Sequence, residues 1–173
     1  TEKSNTSTPT PLNQNSKIFI ELCKKLNINY SRFIRTTEKE HIKKSQELFK
    51  QAFVLLLMVG VLTVLAQIFY LYWTVWWSDT LLHFLSGVCV SIGGISAWFI
   101  VFDKKEINLS NILIIGVVWV IFIGVIWEIF ELSFSLTFFS DGAVYLRDTV
   151  SDLIVDISGG LVGAIYANKL LTD

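Results

Sequence analysis

Acidic side chains and one histidine interrupt the strongly apolar part of this sequence, and their spacing is regular. They form three groups with steps of three or four residues, namely Asp79 with His83, Glu128 with Glu131, and Asp148 with Asp152 and Asp156. Residues three or four apart lie on one face of an α-helix. Each group therefore predicts a helix with one polar face, and the three faces together predict a shared site.

Carboxylates and an imidazole are the ligands that hard and borderline divalent cations prefer. Clustered carboxylates repel one another, so they need either protons or a cation among them. We predict a divalent metal site, for Mg, Mn, Ca, Fe or Zn, and no organic cofactor. The predicted metal ligands are Asp79, His83, Glu128, Glu131, Asp152 and Asp156. The candidates for catalytic roles are Glu128, Asp148 and Arg147.

Simpler roles exist for several of these residues. Asp79 and Asp148 could each cap the start of a helix, and His83 could be a structural hydrogen-bonding residue. Glycines follow the polar residues along two of the helices and predict close helix packing. These glycines are Gly87, Gly94, Gly159 and Gly163.

The elements that must position these residues are transmembrane helices. The chain is 53% hydrophobic and only 17% charged, whereas soluble domains are about 25% charged. Its apolar residues form runs of the length that crosses a bilayer. We predict an all-α fold with four spans, at about 51–72, 80–102, 111–134 and 147–170. Short connections make neighbouring helices antiparallel, which gives an up-down bundle over residues 51–173.

Two segments precede the bundle. Residues 1–16 are rich in Ser, Thr, Asn and Pro and are predicted to be disordered. Residues 17–50 form a basic helical arm, either an amphipathic helix on the membrane surface or a cytosolic helix. Thr37 followed by Glu40 has the spacing of a capping box and predicts a helix start that continues into the first span. No cleavable signal peptide is expected.

Basic residues predict the orientation. Residues 1–50 hold ten of the fourteen Lys and Arg, and Lys104, Lys105 and Lys169 lie on the same predicted side. The opposite side offers Arg147, so both termini are expected in the cytoplasm. The acidic groups then lie near the extracytoplasmic side, where an aromatic belt over 70–77 marks the interface.

Several function classes are excluded by the sequence. No basic patch interleaved with aromatics lies outside the arm, so nucleic acid is not an expected partner. Cys23 and Cys89 lie in different predicted environments, which argues against a disulfide. The motifs of serine hydrolases, zinc proteases and phosphate-binding loops are missing from the sequence.

The polar runs resemble those of small bacterial and archaeal membrane proteins, the YjdF-like family and, more loosely, the VanZ-like family. The matching runs are 79–87, 127–131 and 148–152, the last followed by Asp156, Gly159 and Gly160. All of them lie within residues 75–165. The sequence departs from the VanZ-like pattern because it lacks a basic residue in the third-helix motif. The resemblance implies a multi-pass protein of a prokaryotic plasma (inner) membrane with links to the cell envelope.

Three functions fit this pattern. The first is a metal-dependent hydrolase or transferase acting on a lipid-linked envelope substrate. The second is a component of a proton or ion transporter, since intramembrane Asp, Glu and His mark ion pathways. The third is an accessory subunit of a larger membrane complex. Membrane lipids are the expected partners in each case, with a homo-oligomer or a larger complex as the assembly.

Overall fold

A computed structural model describes residues 14–25, 30–102, 108–134 and 142–172. Nearly all of these residues are helical, and none of them lies in a β-strand. The chain divides into two compact units, Thr1–Glu40 and His41–Asp173. The all-α prediction is therefore confirmed for the part of the chain that is described.

The first unit contains helix α1, Gln14–Lys25, and the beginning of helix α2, Tyr30–Ile68. Helix α1 begins inside the segment predicted to be disordered, whose earlier residues lie outside the described ranges. Its last turn carries Lys24 and Lys25, where positive charge interacts favourably with the helix dipole. Helix α2 already includes Thr37, so the predicted helix start there is wrong, because the residues before it are helical too.

The second unit contains four helices that are long and apolar enough to cross a membrane. They are the later part of α2, Ile42–Ile68; α4, Ser78–Phe102; α5, Leu109–Ser133; and α6, Ala143–Thr172. The predicted four-span bundle is confirmed. The turns predicted around Lys104 and Ser140 lie outside the described residues.

Helix α2 ends earlier than the first predicted span because Tyr70 adopts the left-handed backbone conformation, with φ of 57°. A four-residue helix, α3, follows at Leu71–Thr74. The Ser78 hydroxyl donates a hydrogen bond to the Leu71 carbonyl at 2.9 Å. This bond ties the start of α4 to α3, so the aromatic segment between the first two spans is held against the second.

A core of apolar side chains fills one end of the bundle. Leu48 and Ala52 of α2 pack with α4 residues Ile92, Ile95 and Phe99. The same cluster includes Ile112, Ala164, Ala167 and Leu171 from α5 and α6. The residues from the last three helices lie at the end of α4, the end of α6 and the start of α5, which is one end of the bundle. The polar residues lie at the opposite end. Outward faces are apolar and exposed, as at Leu56, Val118 and Ile165, which suits contact with lipid.

Helices α4 and α6 make the most extensive contact in the bundle. At Gly87, an added Cβ would overlap the Asp156 backbone carbonyl, and at Gly159 it would overlap the Phe84 carbonyl. Each helix therefore presents a glycine to the backbone of the other. Such reciprocal glycine contacts allow helix axes in a membrane to approach more closely than any larger residue would allow.

This packing predicts that Gly87→Ala destabilises the bundle, because its methyl group meets backbone atoms that cannot rotate away. Overpacking of this kind costs about 1–3 kcal/mol. The measurement is thermal unfolding of the purified protein in detergent. Gly60→Ala is the matched control, since nothing lies within 4 Å of a Cβ at that mid-span glycine. Equal melting temperatures for the two variants would contradict the glycine contact.

Candidate functional site

The predicted site residues lie at the end of the bundle where α4 and α6 begin and α5 ends. Asp79 and His83 occupy the first two turns of α4, while Asp152 and Asp156 follow each other along α6. The close α4–α6 contact at Gly87 and Gly159 sets the distance between these two polar faces. The predicted convergence of the two helices is present in the structure.

His83 lies between three carboxylates, and we refer to His83, Asp79, Asp152 and Asp156 as the histidine cluster. Its Nε2 atom lies 3.8 Å from Asp79 Oδ1 and 3.8 Å from Asp152 Oδ2. Its Nδ1 atom lies 3.4 Å from Asp156 Oδ1. The two ring nitrogens therefore face different partners, one a pair of carboxylates and the other a single carboxylate.

The Nε2 side of the histidine cluster comes close to the dimensions of a metal site. One ligand atom from each of Asp79, His83 and Asp152 lies within 4.8 Å of the other two. Bonds from nitrogen or carboxylate oxygen to a divalent ion such as zinc are about 2.0–2.2 Å long. Two ligands of one ion are then roughly 3–4 Å apart. The donor set and the spacing fit a divalent cation after a small contraction.

Exposure differs across the cluster. The side chains of His83, Asp152 and Asp156 are 11%, 13% and 10% exposed, whereas that of Asp79 is 41% exposed. The cluster is therefore closed on the side of α6 and open at Asp79. The cluster is therefore accessible from the end of the bundle where α4 begins.

Asp156 lies deeper than the other two aspartates. Besides facing His83, its Oδ1 accepts a hydrogen bond from the Ser86 hydroxyl at 3.2 Å. The same hydroxyl lies 2.8 Å from the His83 carbonyl oxygen. Asp156 Oδ2 faces Gly124 of α5, where an added Cβ would lie 3.3 Å away. Three helices thus enclose this carboxylate.

The two predicted glutamates of α5 are engaged elsewhere. Glu128 is buried, and its Oε2 accepts a hydrogen bond from the Thr149 hydroxyl at 2.7 Å. Glu131 accepts a hydrogen bond from the Trp127 ring nitrogen at 3.0 Å. Among the described residues, the set within metal-ligand distance contains Asp79, His83 and Asp152 and neither glutamate.

The structure also addresses the capping alternatives. Asp79 lies in the first turn of α4, where a carboxylate interacts favourably with the helix dipole. Asp148 is past the first turn of α6, which contains no acidic residue, so it does not cap that helix. Asp148 and Arg147, two of the catalytic candidates, are both exposed.

Sequence reasoning missed three polar neighbours of the site: Ser86, Thr149 and Tyr72. Ser86 and Thr149 lie three residues from His83 and Asp152, so the helical spacing could have identified them. For Tyr72, the sequence pattern indicates only an aromatic residue at the membrane interface. Its half-burial raises its pKa, the charges of Asp79 and Glu131 raise it further, and a hydrogen bond to Thr63 lowers it. Tyr72 therefore belongs to the surroundings of the open side.

Neither the curated proteins nor the solved structures contain a match to this chain. A family model described as a predicted membrane protein, DUF2238, matches residues 18–173. The match covers all four spans and the histidine cluster. The chain therefore belongs to the DUF2238 family of predicted membrane proteins.

Proposed function

We propose that the protein binds one divalent metal ion through Asp79, His83 and Asp152. The observation that carries this proposal is the placement of two carboxylates and His83 Nε2, from two helices, within 4.8 Å of one another. An uncompensated charge near the bilayer is costly, and insertion scales give roughly 2.5–3.5 kcal/mol for an Asp at a helix centre. A divalent ion offsets two carboxylates, and an imidazole completes the donor set.

We further propose that the ion serves hydrolysis or group transfer on a lipid-linked envelope substrate. A divalent ion supplies Lewis acidity and lowers the pKa of a bound water. The open side at Asp79 supports this proposal because it admits a further ligand. Glu128, buried and hydrogen-bonded to Thr149, is the candidate general base, and the exposed Arg147 is the candidate contact for a substrate phosphate.

The proposed location is the extracytoplasmic half of a prokaryotic plasma membrane, with both termini in the cytoplasm. The basic residues support this orientation. Lys43, Lys50 and Lys169 lie at the end of the bundle that holds the apolar core, and Arg147 lies at the end that holds the cluster. The resemblance to YjdF-like and VanZ-like proteins supports an envelope role.

A proton or ion relay is the second candidate, favoured by a histidine that contacts three carboxylates. The packing beyond Asp156 weighs against it. Between Asp156 and Lys169, helix α6 carries no carboxylate and no histidine. There Gly159 and Gly163 contact the α4 backbone directly. A site that ends at Asp156 is more consistent with binding than with conduction through one chain.

We predict that the purified protein binds Mn²⁺ or Zn²⁺ with a stoichiometry near one, measured by isothermal titration and by elemental analysis. His83→Ala removes a ligand, and Asp152→Asn replaces a charged ligand with a neutral amide, which is a weaker one. Each variant should bind the ion more weakly by more than roughly 10–100-fold. That range is the loss expected when the mutated residue only supports a ligand and does not itself bind the metal. Asp148→Asn is the matched control, because it makes the same change at an exposed position one turn away.

Two outcomes of that titration would contradict the proposal. One is the absence of ion binding by the unmodified protein. The other is an equal affinity loss in Asp148→Asn and Asp152→Asn, which would indicate general electrostatic attraction. Glu131→Gln is an additional arm, and a loss as large as that of Asp152→Asn would make Glu131 a ligand as well.

The orientation predicts which positions react from outside the cell. In a background lacking Cys23 and Cys89, a cysteine placed by Asp148→Cys should react with a membrane-impermeant maleimide added to intact cells. A cysteine placed by Lys169→Cys should react only after the membrane is opened. The reverse pattern would contradict a site on the extracytoplasmic side.

A further inference from the structure

We propose that Asp156 is a positioning residue, not a metal ligand, and that it keeps His83 Nε2 available for the ion. This inference rests on the proposed metal binding and specifies the role of one residue in it. The starting observation is that Asp156 Oδ1 lies 3.4 Å from His83 Nδ1, the nitrogen that points away from Asp79 and Asp152.

The position of Asp156 determines which ring nitrogen of the neutral His83 imidazole carries the proton. A neutral imidazole carries one N–H and one bare nitrogen, and the group bonded to one nitrogen selects the tautomer. An ionised carboxylate can only accept, and Asp156 at 3.4 Å from Nδ1 is nearer than Asp79 and Asp152, which at 3.8 Å from Nε2 are beyond hydrogen-bond reach. Asp156 therefore selects the tautomer with the proton on Nδ1. Nε2 is then left with its lone pair directed toward Asp79 and Asp152. Metal-binding histidines commonly donate their other N–H to a carboxylate in this way.

The location of Asp156 supports positioning over ligation. Its carboxylate faces Nδ1, whereas those of the proposed ligands Asp79 and Asp152 face Nε2 on the other side of the ring. An ion held by Nε2 would be separated from the Asp156 carboxylate by the imidazole ring. The Ser86 hydroxyl also contacts Asp156 Oδ1 at 3.2 Å, so this oxygen already has two neighbours.

The backbone holds Asp156 in place. Its carbonyl packs on Gly87, one turn after His83 on α4, and the Phe84 carbonyl packs on Gly159. On the remaining side, Gly124 of α5 leaves space for Asp156 Oδ2. The distance from Asp156 to His83 is therefore set by helix packing, as expected for a residue that orients a ligand.

The test combines tautomer and affinity measurements on the whole chain described above, purified in detergent. His41→Gln removes the other histidine of the sequence, so ¹⁵N NMR of labelled imidazole reports His83 alone. Spectra of the metal-free protein are taken at a pH where the ring is neutral. We expect a protonated Nδ1 and a bare Nε2. In the same background, Zn²⁺ affinity is measured for Asp156→Asn, Asp156→Leu and the control Asp148→Asn.

Asp156→Asn keeps an oxygen that can accept from Nδ1, so it should retain the tautomer and lose less affinity. Asp156→Leu removes the acceptor, so the proton should shift toward Nε2 and the Zn²⁺ affinity should fall roughly 10–100-fold. Partial rescue by Asn relative to Leu is the signature of positioning. Thermal unfolding of each variant identifies any that fail to fold. If Asp156→Leu does not fold, loss of the Nδ1 proton in Asp156→Asn would overturn the inference, because the Asn side chain oxygen can still accept from Nδ1.

Retention of the Nδ1 tautomer in a folded Asp156→Leu variant would overturn the inference. Equal affinity losses in the Asn and Leu variants would also overturn it, because they would assign Asp156 an effect of charge alone. Failure of the proposed function is distinguishable from both. It would appear as no Zn²⁺ binding by the unmodified protein, while the tautomer of the metal-free protein still reports what Asp156 does to His83.

Discussion

The direct contact between the backbones of α4 and α6 is the constraint on which the rest of the structure depends. Gly87 receives the Asp156 carbonyl and Gly159 receives the Phe84 carbonyl, so neither position has room for a side chain. Because both glycines lie about one turn from the polar residues, this contact sets the spacing between His83 and the α6 aspartates. The site is thus a consequence of helix packing in the membrane and not of a mobile loop.

The bilayer explains why the polar residues must converge. An ionised side chain facing lipid is costly, whereas the same side chain inside a bundle can pair with a partner or a cation. The histidine cluster follows this rule through its contacts at 3.4–3.8 Å. Glu128 follows it through its hydrogen bond from Thr149. Only Asp79 is substantially exposed within the cluster, and that exposure gives the site its opening.

Much of this arrangement could be predicted without coordinates. The spacing of Asp79 with His83 and of Asp152 with Asp156 identified two polar helix faces, and the glycines that follow them predicted close contact. Spacing alone could not assign Glu128 to Thr149 or place Asp156 on Nδ1 of His83. Both outcomes depend on how far each helix is rotated about its axis and on its vertical offset. Those quantities come from side-chain packing between helices, which periodicity does not contain.

The sequence by itself determined that the described part of the chain is helical and holds four helices long and apolar enough to cross a membrane, because long apolar runs satisfy their backbone in lipid as helices. It also determined which residues are polar within those runs. The tertiary structure decided which of these residues meet, which ring nitrogen of His83 each aspartate faces, and where the site opens. The physical reason is that composition and hydrophobic period describe each helix separately, whereas the meeting of side chains depends on distances between helices. In this bundle those distances are set by the contacts at Gly87 and Gly159.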